Sequence, residues 1–129
     1  MVSINSALTV DLLGQAAADM RGPNQFAGVG GQVDFVRGCR LSKGGRAIIA
    51  LSSTAAGGKI SRIQATLAPG QAVTTSRHDI DYVVTEHGIA HLWGKTVKER
   101  ARSLINIAAP EFREKLYADF KELYGRDCR

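Results

Sequence analysis

The sequence predicts an α/β domain: an open sheet, mostly parallel or mixed, with helices packed on its faces. Three observations carry this. Short β-prone runs fill most of the chain before two long stretches that have helical spacing and clear start signals. The apolar run Ile48-Ile49-Ala50-Leu51 lacks alternation, as a strand buried on both faces does. At 129 residues, with 44% apolar and 22% charged side chains, the chain suits one ordinary globular core.

Residues 2–11 alternate, with Val2, Ile4, Ala7 or Leu8, and Val10 set between polar neighbours, and this predicts one strand. Residues 12–28 hold Gly14, Gly22, Pro23 and Asn24, which predicts irregular chain with at most a short turn. Gly28-Val29-Gly30-Gly31 opens a helical stretch with Val33, Val36 and Leu41 on one side, helped by Phe35, and Gly44-Gly45 stops it. Residues 46–51 read as a buried strand and 52–59 as a loop. Residues 60–67 and 72–75 read as two strands joined at Pro69-Gly70.

A strand follows over residues 80–85, then a helical piece over 86–93. Thr96-Val97-Lys98-Glu99 has the spacing of a capping box, starting a helix that reaches Ala108. Pro110 suits the first position of a last helix ending near Tyr124, with Phe112, Leu116 and Phe120 as its apolar stripe. Residues 1–124 therefore form one domain, and 125–129 a tail expected to lie loose.

Composition narrows the function. Cys39 and Cys128 are far apart, without CxxC spacing, so neither a metal site nor a disulfide framework is expected; Cys39 reads as core. No apolar run approaches the roughly 20 residues that cross a bilayer, and residues 1–5 lack a basic, apolar leader, so a cytoplasmic or organelle-matrix location is expected and no membrane partner. The net charge of +5 raises nucleic acid as a partner. However, the cations are scattered and interleaved with acids, as in Lys98-Glu99-Arg100, and aromatics are only 6%, too few for a stacking platform. A phosphorylated small molecule uses the same surplus better.

Two phrases could carry chemistry. Gly28-Val29-Gly30-Gly31 before a helix can bring bare backbone N–H groups to a phosphate, a carboxylate or a thioester oxyanion, or it can be a plain tight turn. It fits neither GxGxxG nor a P-loop. Glu86, just after an apolar strand, is either a ligand-facing carboxylate or a helix-start acid behind Thr85. His87 and His91 lack an HExxH pattern, His78 could pair with a neighbouring Asp, and there is no GxSxG elbow.

Four phrases resemble one known family. They are Val2-Ser3-Ile4-Asn5-Ser6-Ala7, Gly28 through Gly38, Thr74 through Glu86, and Gly94-Lys95-Thr96 with Glu99-Arg100-Ala101. In order and spacing they are similar to the C-terminal domain of acetyl-CoA hydrolases/transferases, including 4-hydroxybutyrate and butyrate:acetate CoA-transferases. The resemblance implies the NagB/RpiA-like CoA-transferase fold and an enzyme that moves CoA between short-chain carboxylic acids such as acetate, butyrate and 4-hydroxybutyrate. It implies a glutamyl-CoA intermediate on a glutamate that nothing in this chain matches. No catalytic nucleophile is thus assigned here, and the isolated chain is expected to be inactive. Acyl-CoA or coenzyme A is implied as substrate, with no permanent cofactor and no metal.

On the same footing, Gly28, Gly30 and Gly31 meet the thioester and CoA, Asn5 donates an amide to the same oxygen, and Glu86 lines the site in support. Lys59 meets a CoA phosphate, and Asp34 and Arg37 pair or brace the loop. His87 and Trp93 stand where relatives commonly carry Tyr and a basic residue. The implied partners are an N-terminal CoA-transferase domain, in cis or in trans, and further copies of the chain in a homo-oligomer. The alternative is a non-catalytic CoA-binding, anion-binding or interaction module.

Overall fold

The computed structural model describes residues 1–129. Residues 2–11 form two strands, not one: β1 (Val2–Ser6) and β2 (Thr9–Asp11) break at Ala7-Leu8 and enter different sheets. The side expected to be buried is also reversed. Val2 and Ile4 are 62% and 70% exposed while Ser3 is buried. Alternation shows which residues share a face, but not which face a neighbour covers. The segment after β2 is more regular than expected, with β3 (Ala16–Ala17) antiparallel to β2 and a ribbon of β4 (Met20–Arg21) and β5 (Asn24–Gln25). Asp11 closes the turn into β3, accepting from Leu13 N, Gln15 N and Gln15 Nε2.

Helix α1 (Gln32–Leu41) forms where expected, on a different stripe. Its buried positions are Gln32, Val36 and Cys39, whereas Phe35 and Leu41 are exposed. β6 (Arg46–Ala50) is central, parallel to β1 on one side. β7 (Thr54–Ala55) and β8 (Ile60–Ser61) flank the turn at residues 56–59, and β9 (Ile63–Gln64) runs parallel to β2. The hairpin expected at Pro69-Gly70 does not form. The turn exists, with Gln71 N donating to Ala68 O, but residues 72–75 add only a single bridge from Thr75 to Ala16.

β10 (Tyr82–Thr85) lies parallel to β6 on its other side. β11 (Gly88–His91) returns antiparallel to it, replacing the helical piece expected there. Gly88, at φ 144, starts the return strand after the turn at Glu86-His87 in a backbone region that disfavours other residues. The principal sheet therefore runs β1-β6-β10-β11 and is mixed. α2 (Val97–Ile107) starts with the capping box formed by Thr96 and Glu99, and α3 (Pro110–Tyr124) with proline in its first turn.

All the helix packing falls on one face of that sheet. Ala47, Ile49, Val83 and Ala90 join Val36 and Cys39 of α1, Leu104 and Ile105 of α2, and Phe120 of α3 in one core. The opposite face carries Val2 and Ile4 of β1, Ile48 of β6, Tyr82 and Val84 of β10, and Ile89 of β11, aligned by strand register. No helix of the chain lies on it, and Ile89 is 69% exposed. The tail is not loose: Cys128 is buried, and Arg129 sits over the Tyr117 ring and pairs with Glu114.

Candidate functional site

The parallel strands β1, β6 and β10 end along one edge of the sheet, with Ser6, Ala50 and Val84 in register. Neighbouring strands lie about 4.8 Å apart, so the ends of β1 and β10 are separated by about 10 Å. Ligands of open α/β sheets settle at this carboxyl edge.

The glycine phrase is anchored there by Gln32. Its Nε2 donates to Ser6 O at 2.8 Å, and its Oε1 accepts from Thr75 Oγ at 2.7 Å, which fixes the start of α1 against the end of β1. Gly28 and Gly30 are exposed, and a Cβ at either would meet nothing within 4 Å. Gly30 has φ 59, so the turn itself also favours glycine there. A Cβ on Gly31 would come within 3.2 Å of the exposed Phe35 ring. No side chain caps the helix at Gly31. The loop therefore presents uncovered backbone.

Asn5 is the penultimate residue of β1, half-buried, and its Nδ2 is buried without any acceptor. Buried donors in native structures nearly always have partners, and Asn5 Nδ2, like the Ser3 hydroxyl, has none within the chain. It lines a cavity of about 390 Å³ with Met1, Ile4 and Phe35.

Glu86 occupies the β10–β11 turn, not a helix start. Thr85, instead of capping a helix, donates its hydroxyl to Ile107 O at 2.6 Å. The Glu86 carboxylate accepts from Ser53 Oγ at 2.6 Å and Ser53 N at 2.8 Å, and His87 Nε2 lies 3.8 Å away. The Ser53 hydroxyl foremost, then backbone amides and lastly His87, hold its pKa down to about 2. The side chain is 50% exposed, so a fixed negative charge faces outward at this edge.

Lys59 makes no hydrogen bond or ion pair with these groups. It lies on the exposed β7–β8 turn and lines a different cavity, with Phe112, Lys115 and Asp119. Gly28, Gly30, Gly31 and Glu86 do not line the four cavities of about 380–420 Å³. Asp34 and Arg37 do not pair. Arg37 instead grips Asp79 with two bonds of 3.1 and 2.9 Å, keeping that carboxyl below its ordinary range. His78 contacts the Trp93 ring edge-on rather than a carboxylate.

Sequence reasoning missed Gln32 and Ser53. Gln32 had a signal, a polar residue at i of an i, i+4, i+7 stripe completed by Val36 and Cys39. Ser53 had only its place just beyond a buried apolar strand.

The acetyl-CoA hydrolase/transferase C-terminal domain model matches residues 1–120. The 4-hydroxybutyrate coenzyme A transferase of Clostridium kluyveri is 61% identical over 124 residues, covering 96% of this chain and 29% of that protein. The succinyl-CoA:cyclohexane-1-carboxylate CoA transferase of Geobacter metallireducens is 56% identical over 116 residues, covering 90% and 26%. Among solved structures, RipA from Yersinia pestis superimposes with a TM-score of 0.87 at 45% identity, covering 95% of this chain and 28% of that one. The chain thus spans less than a third of the length of the relatives it matches.

Proposed function

The chain belongs to the acetyl-CoA hydrolase/transferase family as its C-terminal domain, and from that premise we propose that it is the CoA-facing half of an enzyme moving CoA between short-chain carboxylic acids. The observation that carries the proposal is the loop at Gly28 and Gly30, whose backbone is uncovered at the carboxyl edge of the three parallel strands β1, β6 and β10.

In the proposed exchange a glutamate of the remaining polypeptide attacks the acyl-CoA carbonyl. The C–S bond breaks, the CoA thiolate leaves, and an acyl-glutamyl anhydride forms. The thiolate then attacks the glutamyl carbonyl, releasing the carboxylate and leaving glutamyl-CoA. A second carboxylate then attacks glutamyl-CoA and the two steps run in reverse to give the new acyl-CoA; in a hydrolase water instead cleaves glutamyl-CoA in one step, releasing CoA and the free glutamate. Each attack puts negative charge on a carbonyl oxygen. The amides of residues 28–31 and the unpartnered Asn5 Nδ2 are the donors this chain offers to such an oxygen.

Glu86 is assigned a supporting role, not that of the nucleophile. Ser53 stabilises its carboxylate with two hydrogen bonds, which lowers its basicity and, with it, its readiness to attack. A fixed carboxylate instead orients polar groups of the incoming acid. Lys59, exposed on the β7–β8 turn, is assigned to a CoA phosphate as a point charge.

The rest of the enzyme has a surface to meet. Parallel strand pairs such as β1-β6-β10 are ordinarily covered on both faces, and the face with Val2, Ile4 and Ile89 is uncovered in this chain. Seating of the larger remaining portion there accounts for apolar side chains that water would otherwise surround.

Labelled acetate and acetyl-CoA test the proposal. Label exchange is expected only when the chain is joined to, or mixed with, the portion carrying the glutamate. Turnover by the chain alone would overturn the placement of the nucleophile, and a completed protein that fails to bind CoA would overturn the whole reading.

A further inference from the structure

A cavity of about 390 Å³ lies at the other end of the β10–β11 hairpin from Glu86, lined by Leu13, Arg77, Trp93, Lys95, Val97 and Arg100 among others. Four paired residues of β10 separate the two ends, a span on the order of 13 Å. The lining contains Arg77, Lys95 and Arg100 but no acid. Asp79, the nearest buried carboxylate in sequence, is already engaged by Arg37 and Arg40. Arg77, Lys95 and Arg100 form no ion pair within the chain.

Arg100 is held rigidly. Its Nε donates to Lys95 O, and its Nη1 donates to Leu13 O at 3.3 Å and to Arg77 O at 2.9 Å. Nη2 has no partner. Burial first, then the neighbouring Arg77 charge, lowers the Arg100 pKa. Three cations thus line one cavity that has no acid among its lining residues. An anion there would interact favourably with all three. The guanidinium has already given up its rotamer freedom to the three carbonyls, so binding would cost little further ordering.

We propose that this cavity is an anion site for a phosphorylated small molecule with a group of diphosphate size, held by Arg100 Nη2 with Arg77 and Lys95. Guanidinium geometry matches phosphate oxygens, and a lysine adds a point charge. None of these residues takes part in the proposed CoA exchange. The phosphates can come from a coenzyme A-type ligand or from a free phosphorylated molecule.

The test uses Trp93, which lines the cavity and is the only tryptophan. Inorganic pyrophosphate is titrated into the 129-residue chain at constant ionic strength while tryptophan fluorescence is followed. A saturable change is expected, weakened about tenfold in Arg77→Gln and again in Lys95→Gln, the order expected when one charge-assisted contact is lost. The melting temperature of both variants is expected to stay within about a degree of wild type, since neither side chain is in an ion pair. Arg100→Gln is unsuitable because it breaks three tethers to the backbone.

Displacement of pyrophosphate by coenzyme A would identify the coenzyme as the phosphate source, and lack of displacement a free phosphorylated molecule. Either result supports the site. A change that any salt reproduces, no saturation, or wild-type affinity in both variants would overturn it.

Discussion

Gly28 and Gly30 look alike in the sequence and are distinguished by one dihedral angle. Both have open space where a Cβ would go, but Gly30 sits at φ 59 and Gly28 is outside the left-handed region. Gly28→Val is expected to leave stability within about 0.5 kcal/mol of wild type while weakening CoA binding by the completed enzyme. Gly30→Val is expected to lose about 1–2 kcal/mol as well, because it forces a side chain into the left-handed region. Thermal melts paired with CoA titration separate the two; equal destabilisation would show that the loop's glycines serve only the turn. At Glu86 the decisive contact is Ser53. Its hydroxyl and amide keep the carboxyl near 2 against an ordinary 4.5. A depressed carboxyl pKa stabilises the folded state fully above pH 4.5 and loses that contribution as pH falls toward 2. In Ser53→Ala the Glu86 titration followed by NMR is expected to move up toward 4.5, and acid unfolding to become less steep in that window. An unmoved midpoint would assign the shift to the backbone amides.

Among the elements, α1 shows what one polar side chain can do. Gln32 takes a buried position that an apolar residue would fill more cheaply, and uses both ends of its amide to join Ser6 and Thr75. Gln32→Ala leaves the Ser6 carbonyl and the Thr75 hydroxyl unpaired, with an expected cost of about 1–3 kcal/mol in chemical denaturation. Because the same bonds locate the loop at 28–31, CoA affinity of the completed enzyme is expected to fall further than global stability does. Legibility varied by element. α2 and α3 were clear from Thr96, Glu99 and Pro110, since caps act through neighbours in sequence. β11 is not legible in the sequence, because Gly88 through His91 suits a helix or a strand and only pairing with β10 decides between them.

The whole molecule is a sheet layered on one side. Val2, Ile4, Ile48, Val84 and Ile89 form a face that the chain leaves to water or to a partner. The 129-residue chain is therefore expected to self-associate at micromolar concentration. The Ile4→Lys, Ile89→Lys double variant is expected to raise the dissociation constant by about tenfold or more without lowering the melting temperature, since both side chains are over two-thirds exposed. Sedimentation at several concentrations reads this directly. The same double variant is expected to abolish complementation by the larger portion of the enzyme. A monomeric wild-type chain that still complements would place the interface elsewhere.

The sequence by itself determined the fold class, the two capped helices, the central strand at residues 46–50, the glycine loop and the family. Those rest on local rules and on phrases whose order can be read along the chain. Only the tertiary structure decided that β1 turns Ser3 inward and Ile4 outward, that Ser53 rather than a helix cap holds Glu86, and that Lys59 shares a cavity with Phe112 and Asp119 of α3. Each depends on which element packs against which, and residues far apart in the chain make that choice. Periodicity gives a strand two faces, but only the covering layer decides which of them is the inside.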